Sequence, residues 1–233
     1  VNVVGSAIAR ACDGGVYLHC GPEISVVSTK SFMSTLTVFT LLGLYLGRMR
    51  DVSHGDGKRL IEGMKALPEV IEASIPTVDN VVGPIAKRFA ALNDAYFIGR
   101  NQGFALAQEG ALKLKEVSYL HAEAYAASEL KHGPLALVSP ETLTVAVVPD
   151  DDLLERNIAS VEEIKARSGP VLAITEEETD LDVDEVIRVP RVHPLLTPIA
   201  MLVPLQLLAY RVALERGTDI DQPRNLAKSV TVE

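Results

Sequence analysis

AYFIGRNQGFALAQEGALKLKEVSYLHAEAYAASELKH, residues 95–132, decides how this chain folds. AYFIGR is a short aromatic and aliphatic run closed by Gly99 and Arg100, which reads as a buried strand. The alanine- and leucine-rich segment after it reads as helix, and the pair opens an alternation that continues downstream. Strand TLTVAVVP, a helix from Asp150 to Arg167 that opens on acids, strands GPVLAIT and EVIRVP, and a long apolar helix from Leu195 to Leu214 follow in turn. Strands and helices in that order predict a doubly wound parallel sheet of the α/β class, with ligands at the carboxyl ends of the strands. GRNQG resembles a phosphate-cradling turn but lacks the three-glycine spacing of a dinucleotide site.

The helical segment carries an unusual stripe. Glu109, Lys113 and Glu116 stand at i, i+4 and i+7, which at roughly 100° per residue puts them on one side of a helix, with Lys115 pointing elsewhere. Ala107, Ala111, Leu114 and Ser118 form the opposite, close-packing stripe. Spacing alone leaves two readings open: a solvated face with an ion pair contributing about 0.2–0.5 kcal/mol, or charge kept there for chemistry.

Working outward, residues 109–132 read as helical throughout, ending where Gly133 and Pro134 close a turn after His132. Toward the N-terminus, a short helix is expected around Ser6–Cys12, a strand at Gly15–His19, and a long apolar helix in SFMSTLTVFTLLGLYLGRMR with Ser28 or Thr29 as its N-cap. Arg50–Lys58 reads as a linker, followed by a helix over Arg59–Leu67 and another ending near Leu92.

Composition removes several classes of function. A net charge of -9 without any basic run argues against a nucleic-acid partner, while a single phosphate on a small molecule needs only helix N-termini and hydroxyls. Cys12 and Cys20 make no bridge framework and no CxxC, which predicts free thiols and a cytoplasmic setting. The apolar run Leu195–Leu214 contains Pro198 and Pro204 and ends in charge, so it reads as a buried helix and not a membrane span. Five scattered histidines offer no metal-site spacing, and Asp150–Asp152 suit a helix N-terminus better than a cation. Neither metal nor cofactor is expected.

EGALKLKEVSYLHAEAYAASELKHGPLAL, GPEISVVSTKSF and the terminal DQPRNLAKSVTVE together resemble the isomerase half of the glutamine–fructose-6-phosphate aminotransferase (glucosamine-6-phosphate synthase) family, along nearly the whole chain. The resemblance implies tandem sugar-isomerase (SIS) domains of flavodoxin-like fold, the first incomplete, plus a C-terminal tail. Residues 1–50 would be the later part of the first SIS domain, 51–79 a helical linker, 80–218 the second SIS domain and 219–233 the active-site tail. The implied reaction opens fructose 6-phosphate, adds ammonia at C2 and moves a proton from C1 to C2, giving glucosamine 6-phosphate.

By motif position the resemblance makes Glu116 the proton-transfer base, with Lys113 one turn earlier to stabilise an enediol-like intermediate. It makes His132 the ring-opening group, supplied by the neighbouring subunit of a homodimer, and Lys228 the imine-forming lysine. Val26, Ser28, Arg224 and the main chain of Leu226 and Ala227 would line the sugar site. Leu226, Ala227 and Val230 are expected to carry Lys228 into an apolar cleft near Arg224 or Lys113. The family's glutaminase domain and the hydroxyl-rich run that holds the sugar phosphate have no counterpart in these residues, so the chain alone is expected to be inactive. Two alternatives stay open: a non-catalytic module that senses a sugar phosphate, and a sugar-phosphate deglycase or deaminase.

Overall fold

The computed structural model describes residues 1–228. Its centre is a parallel five-stranded sheet of β1 (Asp94–Gly99), β2 (His121–Ala126), β3 (Leu143–Val147), β4 (Val171–Glu176) and β5 (Glu185–Val189), in the order β2-β1-β3-β4-β5. That is the flavodoxin-like doubly wound order. The three central strands are buried almost throughout, as near-continuous apolar runs require when both faces of a parallel sheet are covered.

One face packs on α3 (His54–Phe89), α4 (Gln102–Ser118) and α6 (Thr197–Arg216), through Phe97, Val145, Leu172 and Ile174 against Ala107, Leu114, Leu205 and Val212. The other face, through Ile98, Ala146 and Val148, packs on α5 (Leu154–Lys165) and on Leu130 of a 3₁₀ turn, Ala127–His132. As predicted, α6 is a core helix: it is long and apolar enough to cross a membrane, yet 67% of its apolar window is buried.

Before the sheet lie α1 (Ala7–Ala11) and α2 (Lys30–Arg48). Residues 15–19, expected as a strand, have no ladder partner and no strand conformation. The expected Arg50–Lys58 linker is mostly helix, because Ser53 caps α3 from its side chain and the helix then runs unbroken through Pro68, Pro76 and Pro84. Each proline costs roughly 3 kcal/mol inside a helix. Burial offsets it: Leu60 and Leu67 pack beside Leu196 and Ile199, and Val78, Val82, Ile85 and Phe89 join the main core. The Arg211 guanidinium grips Asp79 with two hydrogen bonds across to α6.

The helix expected over residues 109–132 stops at Ser118. Its hydroxyl donates to the Leu114 carbonyl and accepts from Leu120 N–H, and Tyr119 adopts the left-handed conformation (φ 60°) that turns the chain out. HAEAYA then forms the edge strand β2.

Candidate active site

The charged stripe of α4 is not solvated. Glu109 and Lys113 have side chains only 7% and 6% exposed, and Glu116 reaches solvent at 22%. Lys113 Nζ donates to Glu116 Oε2 at 3.0 Å and lies 3.4 Å from Glu109 Oε1, a buried oxygen that receives no hydrogen bond. Burial pushes the Glu109 carboxyl up from its ordinary value; Lys113 offsets part of this, and the Glu116 charge adds to it. The solvated-face reading is therefore overturned, since a buried charge persists only when paired.

The stripe occupies the second half of α4, and its last turns approach the amino ends of the strands, away from the expected carboxyl-end crevice. At that crevice the turn GRNQG serves packing. A Cβ on Gly99 would lie 2.4 Å from the Gly103 carbonyl carbon, and one on Gly103 would lie 2.8 Å from Val147 O and 3.2 Å from Pro149 Cδ. Helix, strand and proline close in on the two glycines and leave no room for a side chain at either.

Beside the last turn of α4 the chain's two ends meet. Thr218 Oγ1 donates to Val117 O at 2.6 Å, Ser25 Oγ to Ile220 O at 3.0 Å, and Val26 N–H to Asp221 O at 2.9 Å. Arg224 N–H donates to the Tyr119 hydroxyl at 2.8 Å, and its guanidinium lies 4.2 Å above the Tyr119 ring, a cation–π contact. Lys228 Nζ then donates to Ser25 O at 2.9 Å, Glu23 Oε2 at 3.2 Å and Val26 O at 3.3 Å.

Lys228 thus sits among a carboxylate and two carbonyls, not in the expected apolar cleft, and Arg224 is held by Tyr119. Leu226 and Ala227 are exposed, and Val230, expected to help bury Lys228, lies outside the described residues. Val26 is part of the clasp; Ser28, half-buried, caps nothing.

Thr29 occupies the N-cap position of α2 without a side-chain bond, and the missing acceptor is Glu23. Its Oε1 accepts from Thr29 N–H (2.8 Å) and Ser31 N–H (3.0 Å). Burial works against the Glu23 charge, but the Ser31 hydroxyl, these two amides and Lys228 outweigh it and bring the carboxyl down to about 2.

Glu23 and Tyr119 were not foreseen as site residues. Nothing local signals Glu23, whose partner is 205 positions away, whereas Tyr119 could have been found as the residue where the helical period breaks.

His132 ends the 3₁₀ turn on the α5 side of the sheet, exposed to solvent, while Lys113 and Glu116 lie on the α4 side. Within one chain the sheet separates them.

A family model described as SIS domain matches residues 89–216, more than half of the 233-residue chain. This chain belongs to the SIS-domain family. The SIS chain is 45% identical over 235 residues to glutamine–fructose-6-phosphate aminotransferase [isomerizing] of Photorhabdus laumondii, covering 100% of itself but 38% of that protein, its C-terminal part. Among solved structures it resembles the C-terminal domain of glucosamine-fructose-6-phosphate aminotransferase from Francisella tularensis at 34% identity and TM-score 0.90, over 95% of this chain and 63% of that one. It also resembles a glucosamine-6-phosphate deaminase from Thermotoga maritima, at 27% identity and TM-score 0.72, over 97% of this chain and 64% of that one. The SIS chain spans well under half the length of the curated relatives it matches.

Proposed function

We propose that the chain is the isomerase portion of a glucosamine-6-phosphate synthase, acting on fructose 6-phosphate and ammonia to give glucosamine 6-phosphate. The observation that carries the reading is the buried Lys113–Glu116 pair on a helix whose cap residue, Tyr119, also holds the tail bearing Lys228. A carboxylate, an ammonium group and a primary amine are the groups an imine-linked proton shift requires.

In this mechanism Lys228 attacks the open-chain ketose at C2, expelling water and forming an imine; ammonia then adds at C2 and displaces the lysine amine, leaving a sugar imine that withdraws electrons from C1. Glu116 then accepts the C1 proton and returns it to C2, while Lys113 stabilises the negative charge that builds on the enediol-like intermediate. An amine donating three hydrogen bonds has no lone pair to offer, so Lys228 must release a proton and leave Glu23 before it attacks. Val26, Ser28, Arg224, Leu226 and Ala227 line the sugar side.

His132 opens the ring from a second copy of the chain in a homodimer; its position across the sheet from Glu116 supports that division of labour. We assign residues 1–50 to a first, incomplete SIS domain, 51–79 to a helical connection, 80–218 to the second and 219–233 to the tail. The first assignment is supported by α2, no residue of which is buried and whose Phe39 and Tyr45, like Met49 just past its end, are exposed. A cleft of about 620 Å³ between α2, α3 and α6 lies on that unpartnered side and contains none of the site residues.

Incubating the full-length protein with fructose 6-phosphate and borohydride tests the reading. One reduced sugar phosphate should be added per chain, on Lys228, and Lys228→Arg should abolish the adduct, because a guanidinium cannot form the imine. A mass that never changes, or an adduct that survives in Lys228→Arg, removes Lys228 from the chemistry. The Thermotoga likeness favours a second reading, a deaminase of sugar-phosphate amines; ammonia release from glucosamine 6-phosphate faster than its synthesis would select it.

A further inference from the structure

Among the buried ionisable groups to which the mechanism above gives no task, one lies in the charged stripe itself. Glu109 is a carboxylate only 7% exposed, one turn before Lys113 on a helix otherwise rich in alanine and leucine. A buried ion pair is a poor route to stability, since an apolar residue of the same volume does as well or better. Glu109 is also incompletely satisfied, because among the described residues its Oε1 has no hydrogen bond, and Lys113 Nζ stands 3.4 Å away.

At rest Lys113 is committed to Glu116, at 3.0 Å. Turnover changes that balance. When Glu116 takes the C1 proton it becomes neutral, and of its two carboxylate neighbours the Lys113 ammonium group, 6% exposed, keeps only Glu109 while it faces the charge building on the sugar. A movement of a few tenths of an ångström would bring Nζ into hydrogen-bond range of Glu109. The three groups carry a net charge of one negative at rest and none after proton uptake, so the helix never holds an uncompensated buried cation.

We infer that Glu109 is a positioning residue for the proposed isomerase reaction: it is the second carboxylate to which Lys113 turns each time Glu116 is protonated. No bond to Glu109 is made or broken. The proton passes from C1 to Glu116 and on to C2, the electron pair stays on the sugar, and only the partner of the Lys113 ammonium group alternates.

The inference rests on the isomerase reading, and the test separates the two. Full-length protein is assayed for conversion of fructose 6-phosphate to glucose 6-phosphate, with and without deuterium at C1, as wild type, Glu109→Gln and Glu109→Asp. Glu109→Gln should lower kcat about 10-fold, less than the roughly 10²- to 10⁴-fold contributed by a group that itself transfers the proton, leave KM within about twofold and enlarge the deuterium isotope effect, because the proton step becomes more rate-limiting. Glu109→Asp keeps the charge one methylene short and should recover part of the rate. If Glu109→Gln does not fold, Glu109→Asp carries the comparison with wild type, with a smaller fall in kcat and the same rise in isotope effect. A folded variant with wild-type kcat and isotope effect, or one that loses KM and keeps kcat, overturns the inference. A wild type that does not isomerise the sugar overturns the isomerase reading and this inference with it.

Discussion

Glu23→Gln is the perturbation whose outcome the geometry specifies most closely. The side chain accepts from Thr29 and Ser31 N–H at the start of α2 and from Lys228 in the tail, and its carboxyl is held at about 2 instead of 4.5. A difference of that size corresponds to roughly 3 kcal/mol of preferential stabilisation of the charged form. Solvent reduces it, because the Lys228 side chain is 44% exposed; about 1–2 kcal/mol is the expected local effect. Because the folded-state carboxyl is depressed, this stabilisation is complete above 4.5 and is lost as pH falls toward about 2. Hydrogen exchange at the Thr29 and Ser31 amides is the direct assay. At pH 7, Glu23→Gln should lower their protection roughly 5- to 30-fold, the factor that one or two kcal/mol represents, and by about pH 3 more than half of the gap should have closed. Equal protection at pH 7, or a gap that does not change with pH, would refute the claim that an ionised Glu23 holds the two ends together.

In the full-length protein Glu116→Gln keeps the shape and removes the base, so the isomerisation rate should fall on the order of 10²-fold or more while fructose 6-phosphate still binds; parallel loss of binding in a sugar-phosphate titration would mark a structural carboxylate instead. Mixing His132→Ala with Glu116→Gln chains should restore one intact site per mixed dimer, and no recovered activity after verified subunit exchange would argue that His132 works within its own chain.

The sheet was legible because β1, β3, β4 and β5 are apolar runs between helical periods, and α6 because its prolines and flanking charge separate a core helix from a membrane span. β2 was not, since alanine and glutamate in HAEAYA favour helix and only the period-two alternation, with Tyr119 in a left-handed conformation ahead of it, points to an edge strand. α3 was read as a linker and two helices, with a break after Leu67, because local propensity cannot register the burial of Leu60, Leu67, Val82 and Phe89 that holds it continuous. The Glu109–Lys113–Glu116 stripe was visible as spacing, but whether it faced water or protein depends on residues far away in sequence. The surroundings of Lys228 were the least accessible, because Glu23, Ser25 and Val26 reach it across more than two hundred residues.

That separation has a consequence for the order in which the protein assembles. The clasp between residues 23–26 and 220–228 closes a loop containing nearly the whole chain, and such closures lose chain entropy before they gain contacts. The five-stranded sheet, whose partners are close in sequence, can form without it. Lys228 therefore meets Ser25 and Val26 only after the core is in place, so a half-folded chain offers a substrate an ordinary surface lysine. Readiness for chemistry becomes a late checkpoint of folding, passed when Lys228 reaches the Ser25 and Val26 carbonyls.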